Sequence, residues 1–381
     1  MRVCLATGQY ALPYSGVGTY ARALAAGLLR LGIQVVVACP PSQCASVPGL
    51  DFLPVPFRRL PNHARWMGHA WAFSRRLRPL RDVDLVHFID AREALWFRTR
   101  DIASVGTVHD YYFVDPGYYW RHRSRYPDWP TRLAYATIAR ALERVAYGKV
   151  HALIANSDAT KTRVLHAYHP GGCMTTIHIG LDLAIDKGDA AGRNDSILFV
   201  GGNPYRKGLD RLVACLPYLA VPDAELWVAG TRIPSPMASL AIKNGLWPRI
   251  KRFGLVHGDA LASLYRKAKV VALPGVTEAF GLVFMEAMAA GCAVVGPSDG
   301  GAGELIHDGK DGFLVPYEDD ELLRGRLNEL LTDDELRQHM VDAAAQTVAQ
   351  FTPHRMAVQT REVYDAALNV RSPIRREGIT S

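Results

Sequence analysis

Short apolar runs recur along this chain, with longer stretches of helical spacing between them. In the first half the runs fall at residues 2–6, 33–38, 84–89, 104–108 and 151–155, and residues 18–30, 131–147 and 158–167 carry the spacing of helices. Gly32 stands where a helix over 18–30 should stop. Runs that are apolar throughout, rather than alternating, suit parallel strands covered on both faces. Their alternation with helices predicts an α/β chain of doubly wound parallel sheets. The pattern breaks at 183–195, reading LAIDKGDAAGRND, a small, polar, glycine-bearing stretch that predicts an interdomain linker. It then restarts, with strands expected at 197–200, 225–229, 270–273, 293–295 and 313–315 and amphipathic helices at 319–331 and 334–350. Thr352 can cap a final helix that has Pro353 in its first turn. The basic tail from Arg371 is expected to be loose.

Length and charge narrow this picture. A chain of 381 residues with 49% apolar and 21% charged residues can bury two sizeable cores. Two domains are therefore expected, at 1–182 and 183–354. A net charge of +7 and a pI near 9.1 suit a polyanionic partner: a nucleoside diphosphate, an anionic membrane or nucleic acid. No arrangement typical of a nucleic-acid module accompanies the charge, so nucleic acid is not expected. Six cysteines without metal-ligand spacing, most of them in or beside apolar runs, read as reduced, buried thiols. The opening MRVCLATG does not read as a signal peptide, and no apolar run approaches the roughly 18 residues of a membrane span. A cytoplasmic protein is expected, with attachment to the inner face of the membrane as the alternative.

Ligands of doubly wound sheets bind at the carboxyl ends of the strands, so residues just after apolar runs are the candidates. Residues 274–296, reading PGVTEAFGLVFMEAMAAGCAVVG, join two such runs. Glu278 falls in the loop and Glu286 eight positions later on a short helix. Phe280, Gly281 and Leu282 lie at that helix's N-terminus, where unpaired N–H groups favour a phosphate or sugar oxygen. A carboxylate only accepts hydrogen bonds and can take both protons of a vicinal diol, whether of a sugar or a ribose. Taken singly, each glutamate could equally be a surface residue. Residues 203–209, NPYRKGL, follow the run ILFVGG and place Arg206 and Lys207 where they could neutralise a diphosphate. A solvated basic turn is the alternative.

In the first half, YSGVGTYA puts Gly16 and Gly18 ahead of a helix, where backbone amides could approach a diphosphate. The segment is formally G-x-G-x-x-A. The loop before it is too long, and the next strand too free of acids, for a dinucleotide site. TVHD at 107–110 leaves His109 at a strand end, able to bond a sugar hydroxyl or to be satisfied by the sheet itself. Residues 52–81 hold seven arginines and no acid, and Trp66, Ala70, Phe73 and Leu77 share one helical face there, beside Met67 and Trp71. That face predicts either packing on a sheet or attachment to an anionic membrane. The aromatic, basic stretch 118–132 is expected to shape an acceptor site.

The string from Glu278 through seven residues to Glu286, then AMAAG and an apolar strand, resembles the signature of retaining GT-B glycosyltransferases of family 4. GGAGE at 300–304 followed by DGKDGFLV, IANSDATKT at 154–162 and IHIGLD at 177–182 are similar to further segments of that family. The resemblance implies two Rossmann-like domains facing across a cleft, with a C-terminal helix at 355–370 crossing back onto the first. It implies transfer of a hexose from a nucleotide-sugar donor to a glycan or lipid-linked acceptor, by front-face displacement and without a metal or other cofactor. His109 would contact the donor sugar, Glu278 would position it, Arg206 and Lys207 would hold the diphosphate, and Glu286 would hold the ribose. The family's usual Gly-Arg, spacer, Lys-Gly pattern is met only in its second half, by Lys207 and Gly208; Gly202 and Asn203 stand where the arginine is expected. That variant leans the donor towards GDP-mannose over a UDP-sugar. A soluble natural-product acceptor, a nucleotide-sugar epimerase or phosphorylase, and a non-catalytic sugar-nucleotide-binding scaffold are the alternatives.

Overall fold

A computed structural model describes residues 1–12, 14–57, 65–77, 82–98, 102–111, 114–126, 128–171, 173–183 and 192–371. Most of the expected linker, the tail beyond 371, and residues 58–64 and 78–81 of the arginine-rich stretch lie outside them. Backbone contacts divide the chain into two compact units. One comprises 1–156, 161–180 and the segment from Pro353; the other comprises 157–160 and 181–352.

In the first half, β1 (Arg2–Ala6), α1 (Gly16–Arg30), β2 (Gln34–Cys39), β3 (Leu50–Pro54), α2 (Arg65–Arg76), β4 (Leu85–Phe88), β5 (Ala103–Val108), α3 (Tyr118–Arg121), α4 (Trp129–Tyr147), β6 (Ala152–Ala155), α5 (Asp158–Tyr168) and β7 (Cys173–Thr176) follow one another. The strands form a seven-stranded sheet in the order β3-β2-β1-β4-β5-β6-β7, every pairing parallel. The chain leaves β1 towards β3 and returns to β4 on the other side, so the switch point lies between β1 and β4. β4 and β5 are buried at every residue, as uninterrupted apolar runs predict. The edge strands β3 and β7 carry polar residues and give no such run, because an edge pairs on one side only.

α1 begins where Ser15 Oγ accepts the N–H of Gly18 at 3.1 Å, and it buries Tyr20, Leu24 and Leu28. On α2 the expected face is buried: Trp66, Ala70 and Phe73, with Leu77 just beyond, all pack inward, while Trp71 is 42% exposed. Packing therefore accounts for that face, and of its aromatic edge only Trp71 points outward.

After residue 192 come β8 (Asn194–Val200), α6 (Leu209–Cys215), β9 (Glu225–Ala229), α7 (Ser235–Lys243), β10 (Ile250–Gly254), α8 (Asp259–Lys267), β11 (Ala268–Ala272), α9 (Leu282–Ala289), β12 (Ala293–Pro297), β13 (Phe313–Val315), α10 (Asp320–Thr332) and α11 (Asp334–Val348). Here the order is β10-β9-β8-β11-β12-β13, again parallel, with its switch point between β8 and β11. β8 starts inside the stretch read as linker, because its first residues, Asn194 and Asp195, extend the strand while remaining exposed. Asp319 and Asp333 cap α10 and α11 by accepting the N–H groups of Leu322 and Leu336. Both chains of elements are thus Rossmann-like sheets.

The last helix, α12 (Pro353–Arg371), is counted with the first unit. It lies against α1 so closely that a Cβ on Gly27 would stand 2.5 Å from the Pro353 carbonyl oxygen. Tyr364 is fully buried there, with its hydroxyl 2.7 Å from His87 Nδ1. Four of the six cysteines are buried as expected; Cys44 is half-buried and Cys173 is exposed.

Candidate active site

The loops after β8 and β11 leave the switch point of the second sheet, and glycines let them touch backbone to backbone. A Cβ on Gly275 would lie 2.0 Å from the Arg206 carbonyl oxygen, and one on Gly208 would lie 2.7 Å from the Pro274 carbonyl. Val276 N–H donates to Arg206 O at 2.8 Å, and Arg211 Nη1 donates to Pro274 O at 2.7 Å. Thr277 then turns through a left-handed backbone, φ 57°, which a β-branched residue adopts only when its surroundings hold it there. The next residue, Glu278, is fixed by Gly301 N–H donating to its carbonyl at 2.7 Å. The result is an ion pair: Lys207 Nζ stands 3.2 Å from Glu278 Oε2, each side chain about one-fifth exposed (23% and 18%).

Arg206 and Lys207 are adjacent in sequence but differ in placement. Both follow the carboxyl end of β8, Arg206 only 3% exposed and the Lys207 side chain 23% exposed. The Arg206 carbonyl is sealed against Val276 and Gly275. Gly281, φ 110°, precedes α9, and its missing Cβ makes room for the Phe284 ring. Phe280 is buried against Phe351, ring centroids 5.6 Å apart, so this stretch can offer a ligand the N–H groups of the first turn but not the Phe280 ring. Glu286 accepts the Tyr265 hydroxyl at 2.8 Å. Burial raises its pKa, against the lowering effect of that hydrogen bond.

In the first unit His109 follows β5. Its Nε2 lies 2.8 Å from the Ile89 carbonyl and so must donate, which leaves Nδ1 as an acceptor. Burial lowers its pKa against the opposing pull of Asp90, so the ring stays neutral at pH 7. Tyr20 packs edge-on against it at 4.7 Å. The expectation that both glycines offer amides to a diphosphate is corrected at Gly18. Its N–H is taken by Ser15 Oγ, and its lack of a Cβ accommodates the Gln9 carbonyl, which such an atom would approach to 2.3 Å. Gly16 is exposed at the first position of α1.

A buried charge cluster beneath the first switch point had no counterpart in the sequence reading. Arg92 lies 2.8 Å from Asp90, 3.2 Å from Asp110 and 3.6 Å from Glu143. Burial, only partly opposed by Arg92, pushes the Glu143 carboxyl up to about 8, and the Tyr168 hydroxyl donates to it. Beside this cluster His69 Nδ1 is 2.7 Å from Glu93 Oε1. Asp90, Arg92 and Glu93 fall in one short stretch, but their partners His69, Asp110, Glu143 and Tyr168 come from segments that no local spacing links to it. Among the described residues no three or more His, Cys, Asp or Glu side chains are grouped to hold a metal ion, and no helix is long and apolar enough to cross a membrane.

Residues 14–185 match the family model described as Glycosyltransferase Family 4, and residues 183–347 match the one described as Glycosyl transferases group 1. A phosphatidyl-myo-inositol mannosyltransferase of Mycolicibacterium smegmatis is 30% identical over 246 residues, 62% of either chain. An uncharacterized glycosyltransferase of Methanocaldococcus jannaschii is 33% identical over 177 residues, 46% of this chain and 45% of the relative. The chain therefore spans about half the length of the curated relatives it matches. The solved sucrose-phosphate synthase of Thermosynechococcus elongatus superposes with a TM-score of 0.77 at 19% identity, covering 97% of this chain and all of the other, a likeness of fold.

Proposed function

This chain belongs to the family 4, group 1 glycosyl transferases, and on that premise we propose that it moves a hexose from a nucleoside-diphosphate sugar to a hydroxyl of a glycan or lipid-linked acceptor. The observation that carries this reading is the Lys207–Glu278 pair at the second switch point. In the reaction the bond from the anomeric carbon to the diphosphate oxygen breaks, and its electron pair leaves on the phosphate. Lys207 faces that negative charge, and the N–H groups opening α9 add to it. Glu278, released from its ion pair by the incoming phosphate, accepts hydrogen bonds from the donor sugar's hydroxyls.

The acceptor oxygen bonds the anomeric carbon from the face the phosphate leaves, and its proton passes to the departing phosphate oxygen. Configuration is then retained without a protein nucleophile. Glu286 holds the ribose hydroxyls, and neutral His109 accepts a sugar hydroxyl at Nδ1. Arg206, next to Lys207, adds a second positive charge toward the diphosphate. The mannosyltransferase relative favours mannose, and the Lys207-Gly208 variant without the preceding Gly-Arg favours GDP. A UDP-sugar is the competing donor, since a solved fold neighbour, Anabaena HepE, is described with UDP and glucose bound.

Thermal-shift titration with GDP, UDP, GDP-mannose and UDP-glucose tests the donor. One nucleotide and its sugar should raise the melting temperature by mass action. The matched donor should then be consumed by wild type and not by Lys207→Ala. No shift with any of the four, or equal turnover by that variant, would reject the reading.

A further inference from the structure

Cys39 and Cys44 face each other across a short turn, with their sulfurs 3.8 Å apart. Cys39 is the last residue of β2 and fully buried, and the Val55 N–H donates to its carbonyl at 2.8 Å. Cys44, five positions on, is half-buried. Between them the Gln43 N–H donates to the Pro40 carbonyl at 2.8 Å and the Cys44 N–H to the Pro41 carbonyl at 3.3 Å. Two consecutive prolines, Pro40 and Pro41, fix two φ angles of this turn, so little backbone freedom is left to lose when its ends are joined. A disulfide needs its sulfurs about 2.05 Å apart, and the remaining gap is within the reach of side-chain rotation at Cys44. The Cys44 thiol now rests 3.6 Å from the Pro40 carbonyl oxygen.

The two thiols are not equally ready to react. Burial, with the neighbouring Cys44 thiol adding to it, pushes the Cys39 thiol above its ordinary range, so Cys39 stays protonated. The half-buried Cys44 is the sulfur that an oxidant reaches first. The turn between them also holds a neighbouring loop. Gln43 grips the loop after β1 at two points: its Nε2 donates to the Gly8 carbonyl at 3.0 Å, and its Oε1 accepts the Ala11 N–H at 3.1 Å. Whatever fixes the turn at 39–44 therefore also fixes residues 8–11, which lead towards α1.

We propose that Cys39 and Cys44 are a thiol oxidation site, which closes to a disulfide and tightens the grip of Gln43 on the 8–11 loop. The Cys44 thiolate attacks one sulfur of a small disulfide oxidant, glutathione disulfide, whose S–S bond breaks. One glutathione leaves as a thiolate and takes up the proton that Cys44 gave up. Cys39 then attacks Cys44 Sγ in the mixed disulfide, and the second glutathione leaves with the Cys39 proton. Two electrons pass from the protein's thiols to the oxidant, and an excess of a reducing thiol reverses both steps. The site does not depend on the reading that the chain transfers a sugar.

The full chain, equilibrated with glutathione and glutathione disulfide, trapped with iodoacetamide and digested with trypsin, tests it. Both cysteines fall in one tryptic peptide, residues 31–58. With the two glutathione forms at equal concentration, more than half of that peptide should be two hydrogens lighter and unalkylated, and dithiothreitol should restore both alkylation sites. Amide exchange across 8–11 should slow about threefold or more on closure. Gln43→Ala should close as wild type does but without that slowing. Cys39 lies in the core, so Cys44→Ser, at the half-buried position, is the variant that keeps the test open. It should fold, leave Cys39 unoxidised and show no change in exchange. A wild-type peptide that stays alkylated at both sites, or that stops at the mixed disulfide, refutes the site. Closure without slower exchange across 8–11, or the same slowing in Cys44→Ser, refutes the coupling to the loop.

Discussion

Lys207 and Glu278 are 71 positions apart, yet their charged atoms meet at 3.2 Å. The contact depends on two glycines that let the preceding loops press together, and on a left-handed turn at Thr277. Neither side chain is fully withdrawn from water, so the pair is open to exchange for a ligand with a stronger charge. A resting ion pair of this kind holds both groups in their working positions.

Removing either partner should therefore act on the reaction more than on the fold. Lys207→Ala and Glu278→Ala should each lower turnover by about 10²–10³, the range found when one preorganised charge-stabilising group is lost. Both should melt within a few degrees of wild type, because partly exposed ion pairs contribute only about 0–1 kcal/mol. Initial rates of donor consumption and circular-dichroism melts check this.

The glycine contacts should divide sharply. Gly275→Ala drives a methyl into the Arg206 carbonyl and should cost about 2 kcal/mol or more. Gly325, inside α10 with open space around it, is the opposite case. Gly325→Ala should stabilise by about 0.5–1 kcal/mol, since alanine loses less backbone entropy in a helix. Urea titration of both variants separates the two effects.

Acid stability should carry the mark of His87. The ring is fully buried, with Nε2 2.7 Å from Thr107 Oγ1 and Nδ1 2.7 Å from Tyr364 Oη, and burial lowers its pKa to about 3, with His109 adding to the effect. The folded value lies below the unfolded one near 6.5, so between these limits the unfolded chain binds the extra proton. Stability from this group is present above pH 6.5 and is lost as pH falls towards 3, at about 1.4 kcal/mol per pH unit. His87→Gln should flatten that part of the profile whatever it does at pH 7. Denaturant midpoints at half-unit steps from pH 7 to pH 4 provide the test.

Glu286 should govern affinity for the donor more than turnover. Glu286→Gln keeps the shape but weakens its acceptance of two hydroxyl protons, and should raise the donor KM about tenfold with kcat changed less. Tyr265→Phe removes the hydrogen bond that now occupies Oε2 and should move the KM far less. Saturation curves with the matched nucleotide sugar distinguish them.

What local sequence determined was the set of buried strands and the helices between them. Apolar runs such as 2–6 and 225–229 fall on β1 and β9 at the same residues, because a strand covered on both faces admits little else. The motif around Glu278 and Glu286 was legible as well, since its glycines and acids lie within one loop and helix. Edge strands such as β3 were not, for their residues face solvent and need no apolar run. Only the tertiary structure decided that Arg206 is more buried than its neighbour Lys207, that Gly18 gives its N–H to a cap, and that His69 meets Glu93. Spacing along a chain fixes which residues can share a helix face or a loop. Which side chain is sealed by a neighbour's backbone depends on contacts between segments tens of residues apart, and these exist only once the sheets have formed.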